Sequence, residues 1–193
     1  MRFLLFIYLF STLLFLTNSI TAKERQYKLL QKENNIEIRY YNKVMSAQVT
    51  ITGNRKTAAS SAFRVLFKFI DGNNNKNQKI PMTSPVSQIS SSKITWDITF
   101  FMPASMIKGE TPTPLDSRIK IIELNQIKLA AIRFSGRAST SNLENHTSIL
   151  RDYLIQNKLQ FINKPHYAFY NAPFVPWFLR RNEVLFELID PQK

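Results

Sequence analysis

The chain repeats itself at an offset of 83 residues, and this constrains its fold more than any local propensity does. Ile36, Ile38, Asn42, Val44, Ala47, Val49, Ile51 and Gly53 recur as Ile119, Ile121, Asn125, Ile127, Ala130, Ile132, Phe134 and Gly136. In each copy an alternating apolar segment, a short break and a second alternating segment end at a glycine, the pattern of two half-buried strands. Past each glycine the period changes to that of a helix: Ala59, Ala62, Phe63, Leu66, Phe67 and Ile70 in the first copy, Leu143, His146, Thr147, Leu150 and Leu154 in the second. Ser141 and Glu144 have capping-box spacing and predict the start of the second helix. Further strand-like sequence follows each helix, at residues 94–102 and 183–188. Residues 71–79 contain no apolar side chain and are expected to form a solvated loop. Residues 103–118, with Pro103, Pro112 and Pro114, read as the irregular connection between the copies. The expected fold is α+β: a duplicated β-α-β-β unit forming a distorted antiparallel β-barrel or curved sheet with two helices. One copy is too short to bury a good core alone, so residues 23–193 are expected to form a single domain with internal pseudo-symmetry.

The first 22 residues are read apart from that domain. Arg2 gives a positive start, residues 3–16 are apolar except Ser11 and Thr12, and small polar residues lead to Ala22. This is the pattern of a secretory signal peptide cleaved after Ala22. The apolar run is shorter than the roughly 20 residues of a stable membrane span. An uncleaved N-terminal anchor is the alternative. The expected destination is therefore export, to a periplasm or the medium, with no transmembrane domain in the mature protein. The net charge of +13 falls only to +12 without this stretch, because Arg2 is its one charged residue.

That basic excess calls for nucleic acid, an anionic surface or a small acidic ligand. Lys and Arg are dispersed, without an RNA-binding aromatic motif, which argues against a specific nucleic-acid partner. Catalytic patterns are scarce. With no cysteine, thiol nucleophiles and every cysteine-containing metal site are excluded. There is no Gly-rich phosphate loop and no Gly-x-Ser-x-Gly elbow. Glu110, Asp116, Glu123 and Glu144 suggest no acid/base pair. An enzyme is the poorer reading.

The first helix has an unusually wide apolar stripe, with Val65 and Phe69 added to Phe63, Leu66, Phe67 and Ile70, and an i,i+4 basic pair of Arg64 and Lys68 beside Phe63 and Phe67. Two readings stand. Either every apolar residue is core and the two cations extend along its rim, or the outer part of the stripe faces a flat apolar ligand that carries carboxylates. In the second aromatic cluster, Phe174 and Trp177 with Val175 and Phe178, the residues form either a lid over a ligand or a plug in the open end of a barrel. Of Arg180 and Arg181, at least one is expected to pair with Glu183 or bind backbone.

Four segments carry a resemblance to a known family. Lys79-Ile80-Pro81-Met82-Thr83-Ser84-Pro85-Val86, the Trp96 strand ending Phe100-Phe101-Met102-Pro103, Ile132-Arg133-Phe134-Ser135-Gly136, and the run from Pro173 to Val184 resemble the SOUL haem-binding family in order and spacing. The resemblance extends from about Tyr27 to Leu188. It implies a non-enzymatic domain that binds haem or another tetrapyrrole on an apolar surface beside the first helix, similar in fold to the effector-binding domains of multidrug-sensing regulators. By position it implies contacts from Phe63 and Phe67, with Lys68 near a propionate; the physical match of a cation to a propionate adds Arg64, and the lid reading adds Phe174 and Trp177. Family members carry less bulky or more flexible residues at some of these positions, so Phe63 and Phe67 either stack on the porphyrin or fill its site. An axial histidine is not obligatory in the family. His146, His166 and Met82 are the available axial candidates, and packing is the readier role for His146 and Met82. The alternative functions are a basic module for anionic surfaces and, less favoured, an enzyme acting on tetrapyrroles.

Overall fold

A computed structural model of the protein describes residues 22–189. The expected signal peptide lies outside the described residues except for Ala22. The first copy contributes β3 (Ile36–Tyr41), β4 (Val44–Thr52), α1 (Arg55–Ile70), β6 (Val86–Ser92) and β7 (Thr95–Phe101). The second contributes β8 (Lys120–Leu124), β9 (Ile127–Phe134), α2 (Thr140–Gln156), β10 (Phe161–Phe169) and β11 (Asn182–Leu188). Before them, β1 (Lys23–Glu24) pairs in parallel with β5 (Thr83–Ser84), and β2 (Lys28–Glu33) forms a hairpin with β3.

Nine strands form one antiparallel sheet in the order β2-β3-β9-β11-β10-β6-β7-β4-β8. Leaving β2 aside, reading the order from the other end exchanges the two copies, so a pseudo-two-fold axis passes between β10 and β6. The first strand of each copy is exchanged: β3 pairs with β9, and β8 with β4. The sheet is curved but open, which corrects the barrel alternative. Its end strands, β2 and β8, each have a partner on one side only, and every residue of β2 is exposed. Pro165, which has no N–H to give to a ladder, falls where the β10–β11 register shifts between Ile162 and His166.

Both helices cover the same face. Ala62, Val65, Leu66, Phe69 and Ile70 of α1 pack on Met45, Ala47, Val49, Ile98 and Phe100. Leu143, Leu150 and Leu154 of α2 pack on Ile36, Ile38, Ala130, Ile132, Val184 and Phe186. Alternation along each strand sends the intervening residues to the opposite face, where Tyr41, Leu129, Ala131, Ala168 and Leu185 form a smaller cluster. Gly53 and Gly136, the repeat's glycines, have φ of 137° and 104°, so each copy turns from strand to helix through backbone that favours glycine.

Two local expectations are adjusted. The second helix is capped two residues earlier than the Ser141–Glu144 spacing suggests: Asn142 N donates to Ser139 Oγ at 3.3 Å. Residues 71–79 are not uniformly solvated, because Asn74 is buried and fully bonded. Its Nδ2 donates to the carbonyls of Phe69 and Gln78, and its Oδ1 accepts from the amides of Lys76 and Gln78. A buried asparagine can thus organise a polar loop, tying it to the end of α1.

Candidate functional site

The α1 stripe divides between core and surface. Val65, Leu66, Phe69 and Ile70 are buried, while Phe63 and Phe67, one helical turn apart, remain 36% and 45% exposed. Their rings stack with centroids 6.0 Å apart and planes 12° from parallel, and Phe63 is anchored edge-on against Phe100 at 5.3 Å. Arg64 and Lys68 are exposed beside them, with Lys56 on the same exposed part of the helix. The outcome is an exposed aromatic platform with cations beside it. It is a surface and not a deep pocket: neither a groove of about 710 Å³ along residues 108–123 nor a cavity of about 190 Å³ on the opposite sheet face is lined by these residues.

The carboxyl of Asp116 is held down at about 2, chiefly by hydrogen bonds from Arg118, with the nearby charge of Lys68 contributing. Lys68 also lies in the last turn of α1, where a cation complements the helix dipole. Arg64 makes one long bond, to Ser61 Oγ at 3.4 Å.

Phe174 and Trp177 lie elsewhere, on the loop before β11 that includes the short 3-10 helix Trp177–Leu179. Phe174 is 87% exposed and Trp177 49%, so neither plugs the sheet. Gly136 N donates to Trp177 O at 3.1 Å, and the Arg137 guanidinium lies 5.7 Å from the indole, which places the loop at the head of α2. Among the described aromatic pairs and hydrogen bonds, none links Phe174 or Trp177 to Phe63 or Phe67. Arg180 fixes the loop by donating from Nε to Val175 O at 2.7 Å and from its terminal nitrogen to Pro173 O. Arg181 is the ion-pair residue, bound to Glu183 at 2.8 Å and to Glu24 at 2.7 Å.

The axial candidates are dispersed. His146 donates from Nδ1 to Asn142 O at 2.8 Å and stacks on Phe134 at 3.9 Å, in a packing position on α2. Met82 packs against the α1 core. His166 shares strand parity with Ala168, on the face away from both helices and across the sheet from the α1 platform. Among the described residues no three His, Asp or Glu form a group able to hold a metal ion, and no helix is long and apolar enough to cross a membrane.

Burial, and secondarily the charges of Lys164 and Arg25, lower the pKa of His166 to about 4. The unfolded value is about 6.5. Above that value both states are neutral; as pH falls from about 6.5 to about 4, the unfolded chain accepts a proton that the folded chain refuses. Stability is therefore expected to drop by on the order of 3 kcal/mol across this window. His166→Gln should remove that part of the loss, as measured by urea unfolding at a series of pH values. Parallel wild-type and variant curves would show that His166 does not titrate this way.

Comparison with known proteins adds the lineage. The chain is similar to heme-binding protein 2 of Homo sapiens, with 29% identity over 168 residues, 81% of this chain and 80% of that protein. It is also 29% identical to heme-binding protein 1 of Mus musculus over 134 residues, 66% of this chain and 70% of the other. In fold it is similar to the EcmrR C-terminal domain, at a TM-score of 0.62 and 10% identity over 85% of this chain and 98% of that one. A hydrolase structure from Listeria innocua gives a TM-score of 0.57 at 10% identity, covering 83% of this chain and 94% of that one. At such identities these two structures speak for the fold alone. The family described as SOUL heme-binding protein matches residues 22–187, all but the last residue of the duplicated sheet together with both helices, and the chain belongs to that family.

Proposed function

We propose that the protein is an exported, non-enzymatic carrier of haem or another tetrapyrrole, which it holds on the outer face of α1. The observation that carries this reading is the stacked, exposed Phe63–Phe67 pair with Arg64 and Lys68 alongside. A tetrapyrrole presents a broad apolar disc and anionic propionates, and the platform has the matching order of aromatic surface and flanking charge. The heme-binding names of two relatives and of the family support the same ligand class. Retention then rests on apolar contact, with Arg64 and Lys68 as the propionate partners. Export rests on the sequence of residues 1–22, with an N-terminal anchor as the alternative.

The test is a spectral titration of the protein with hemin and with metal-free protoporphyrin. The expected result is a saturable Soret shift near one equivalent for hemin and comparable binding of protoporphyrin, since capture by the platform does not require an iron ligand. No saturable shift with either would overturn the proposal.

A second reading, a basic module for anionic surfaces, is favoured by one observation. Phe174, Trp177, Phe178 and Leu179 are all exposed on a chain of net charge +13. Such binding would weaken steeply with salt through screening, whereas binding to an apolar platform would change little.

A further inference from the structure

The sheet face opposite the helices contains a cavity of about 190 Å³, lined by Arg25, Phe101, Ile127, Leu129, His166 and Glu187 among others. It is smaller than the roughly 300–1,000 Å³ typical of sites for drug-sized ligands, and so suits a smaller molecule. Its distinguishing group is Arg25. The guanidinium lies between two rings, 4.5 Å from the centroids of both Tyr41 and Phe101. It donates one long hydrogen bond, to Asn42 O at 3.3 Å, and its Nε is the one buried side-chain polar atom without a partner among the described residues.

This arginine departs from the rest of the interior. Arg39 and Arg181 both pair with Glu183, and each has a second carboxylate partner, Glu37 and Glu24 respectively. Arg25 has no carboxylate within ion-pair distance among the described residues. Burial lowers its pKa to about 10, which leaves it charged at neutral pH. Arg25 is half-buried with its Nε fully enclosed, and a partly desolvated cation without a counter-ion is costly, a cost that an anion entering the cavity would offset. The walls select further. Phe101, Ile127 and Leu129 suit an apolar body, the neutral His166 imidazole can share a hydrogen bond, and the Glu187 carboxylate opposes a second negative charge.

We propose that this cavity is a binding site for a small monocarboxylate with an apolar body, its carboxylate on Arg25, separate from the α1 platform. Benzoate and hexanoate are suitable probes, with benzamide and phthalate as the neutral and doubly charged comparisons. Titrations use protein purified from cells expressing the full chain. Calorimetry is expected to show benzoate or hexanoate binding at least tenfold more tightly than benzamide or phthalate. Arg25→Met, which keeps an apolar side chain between the rings, is expected to lose binding at least tenfold without a lower melting temperature.

The wild-type chain gives a readout that does not depend on that variant folding. It has two histidines, so carboxylate binding should move the imidazole NMR signals of His166 while leaving those of His146, on α2, in place. Phe67→Asp should bind benzoate as the wild type does, so the outcome here is separable from that of the tetrapyrrole titration. Absence of carboxylate binding, equal binding of benzamide, unmoved His166 signals or undiminished binding by folded Arg25→Met would each overturn the proposal.

Discussion

Replacing Glu183 with alanine is expected to remove about 3–5 kcal/mol of stability, because it strips the counter-ion from charges that cannot return to water. Glu183 and Arg39 are 0% and 1% exposed. Arg39 grips the carboxylate at both oxygens, at 2.7 and 2.9 Å, while the Tyr170 hydroxyl donates to it at 2.7 Å and Arg181 at 2.8 and 3.0 Å. Burial alone would raise the carboxyl pKa. The bonds and charge of Arg39, followed by those of Arg181 and Tyr170, outweigh it and hold the group below its usual range. Without the carboxylate, Arg39 keeps only its Glu37 contact at 2.8 Å among the described ion pairs. At about 2–4 °C per kcal/mol for a chain of this size, the melting temperature should fall by roughly 10 °C. The mechanism makes a second expectation: Arg39→Met combined with Glu183→Leu should cost less than Glu183→Ala alone, since it removes the buried Arg39 charge with its counter-ion and leaves Arg181 to Glu24 and Glu37 to Lys32. Urea unfolding of the three proteins decides it. A loss below about 1 kcal/mol for Glu183→Ala would show that solvent reaches Arg39, contrary to its burial.

That network marks where the sequence ceased to be informative. The repeat made both strand–strand–helix units legible, since period 2 and period 3.6 are written into single segments and the offset aligns them. It did not show that β3 and β8 change places between copies, because an offset reports likeness and not pairing. An open sheet and a barrel likewise share one alternation pattern, and they differ only in whether the end strands meet. Near in sequence, Arg181 and Glu183 could be anticipated as partners. Arg39, 144 residues from Glu183, could not, because only the β3–β9–β11 order brings them onto one face. Similar reasoning applies to Arg25, whose lack of a carboxylate partner is a property of the fold. On α1 the wide stripe was legible, but where core gives way to surface depends on how far the helix sinks onto β4 and β7. The expectation of a Ser141 cap failed locally: Ser139 also precedes the apolar run, and the strand-to-helix turn at Gly136 brings the helix start to it.

The partition of α1 yields the largest expected effect on binding. Phe67→Asp should weaken hemin binding by one to two orders of magnitude while leaving the fold intact. Loss of one aromatic contact face is worth about 1.5–3 kcal/mol, or roughly tenfold to 150-fold in affinity, before any repulsion between the new carboxylate and the propionates. Phe67 is 45% exposed and belongs to no buried cluster, so the cost to folding should stay near the 0.3–1 kcal/mol typical of an acidic side chain close to a helix C-terminus. Phe63 is a poorer probe, since it also packs edge-on against Phe100 and its removal disturbs that contact. Lys68→Met provides the internal comparison. Because Lys68 is exposed to solvent, where a charge pair is weak and screened, its loss should weaken hemin only a few-fold, and most at low salt. Soret titration gives the affinity and thermal unfolding the stability of each variant. An unchanged dissociation constant for a folded Phe67→Asp would place the tetrapyrrole elsewhere on the molecule, whereas a lost affinity with a melting temperature lowered by no more than about 4 °C would assign it to the exposed face of α1.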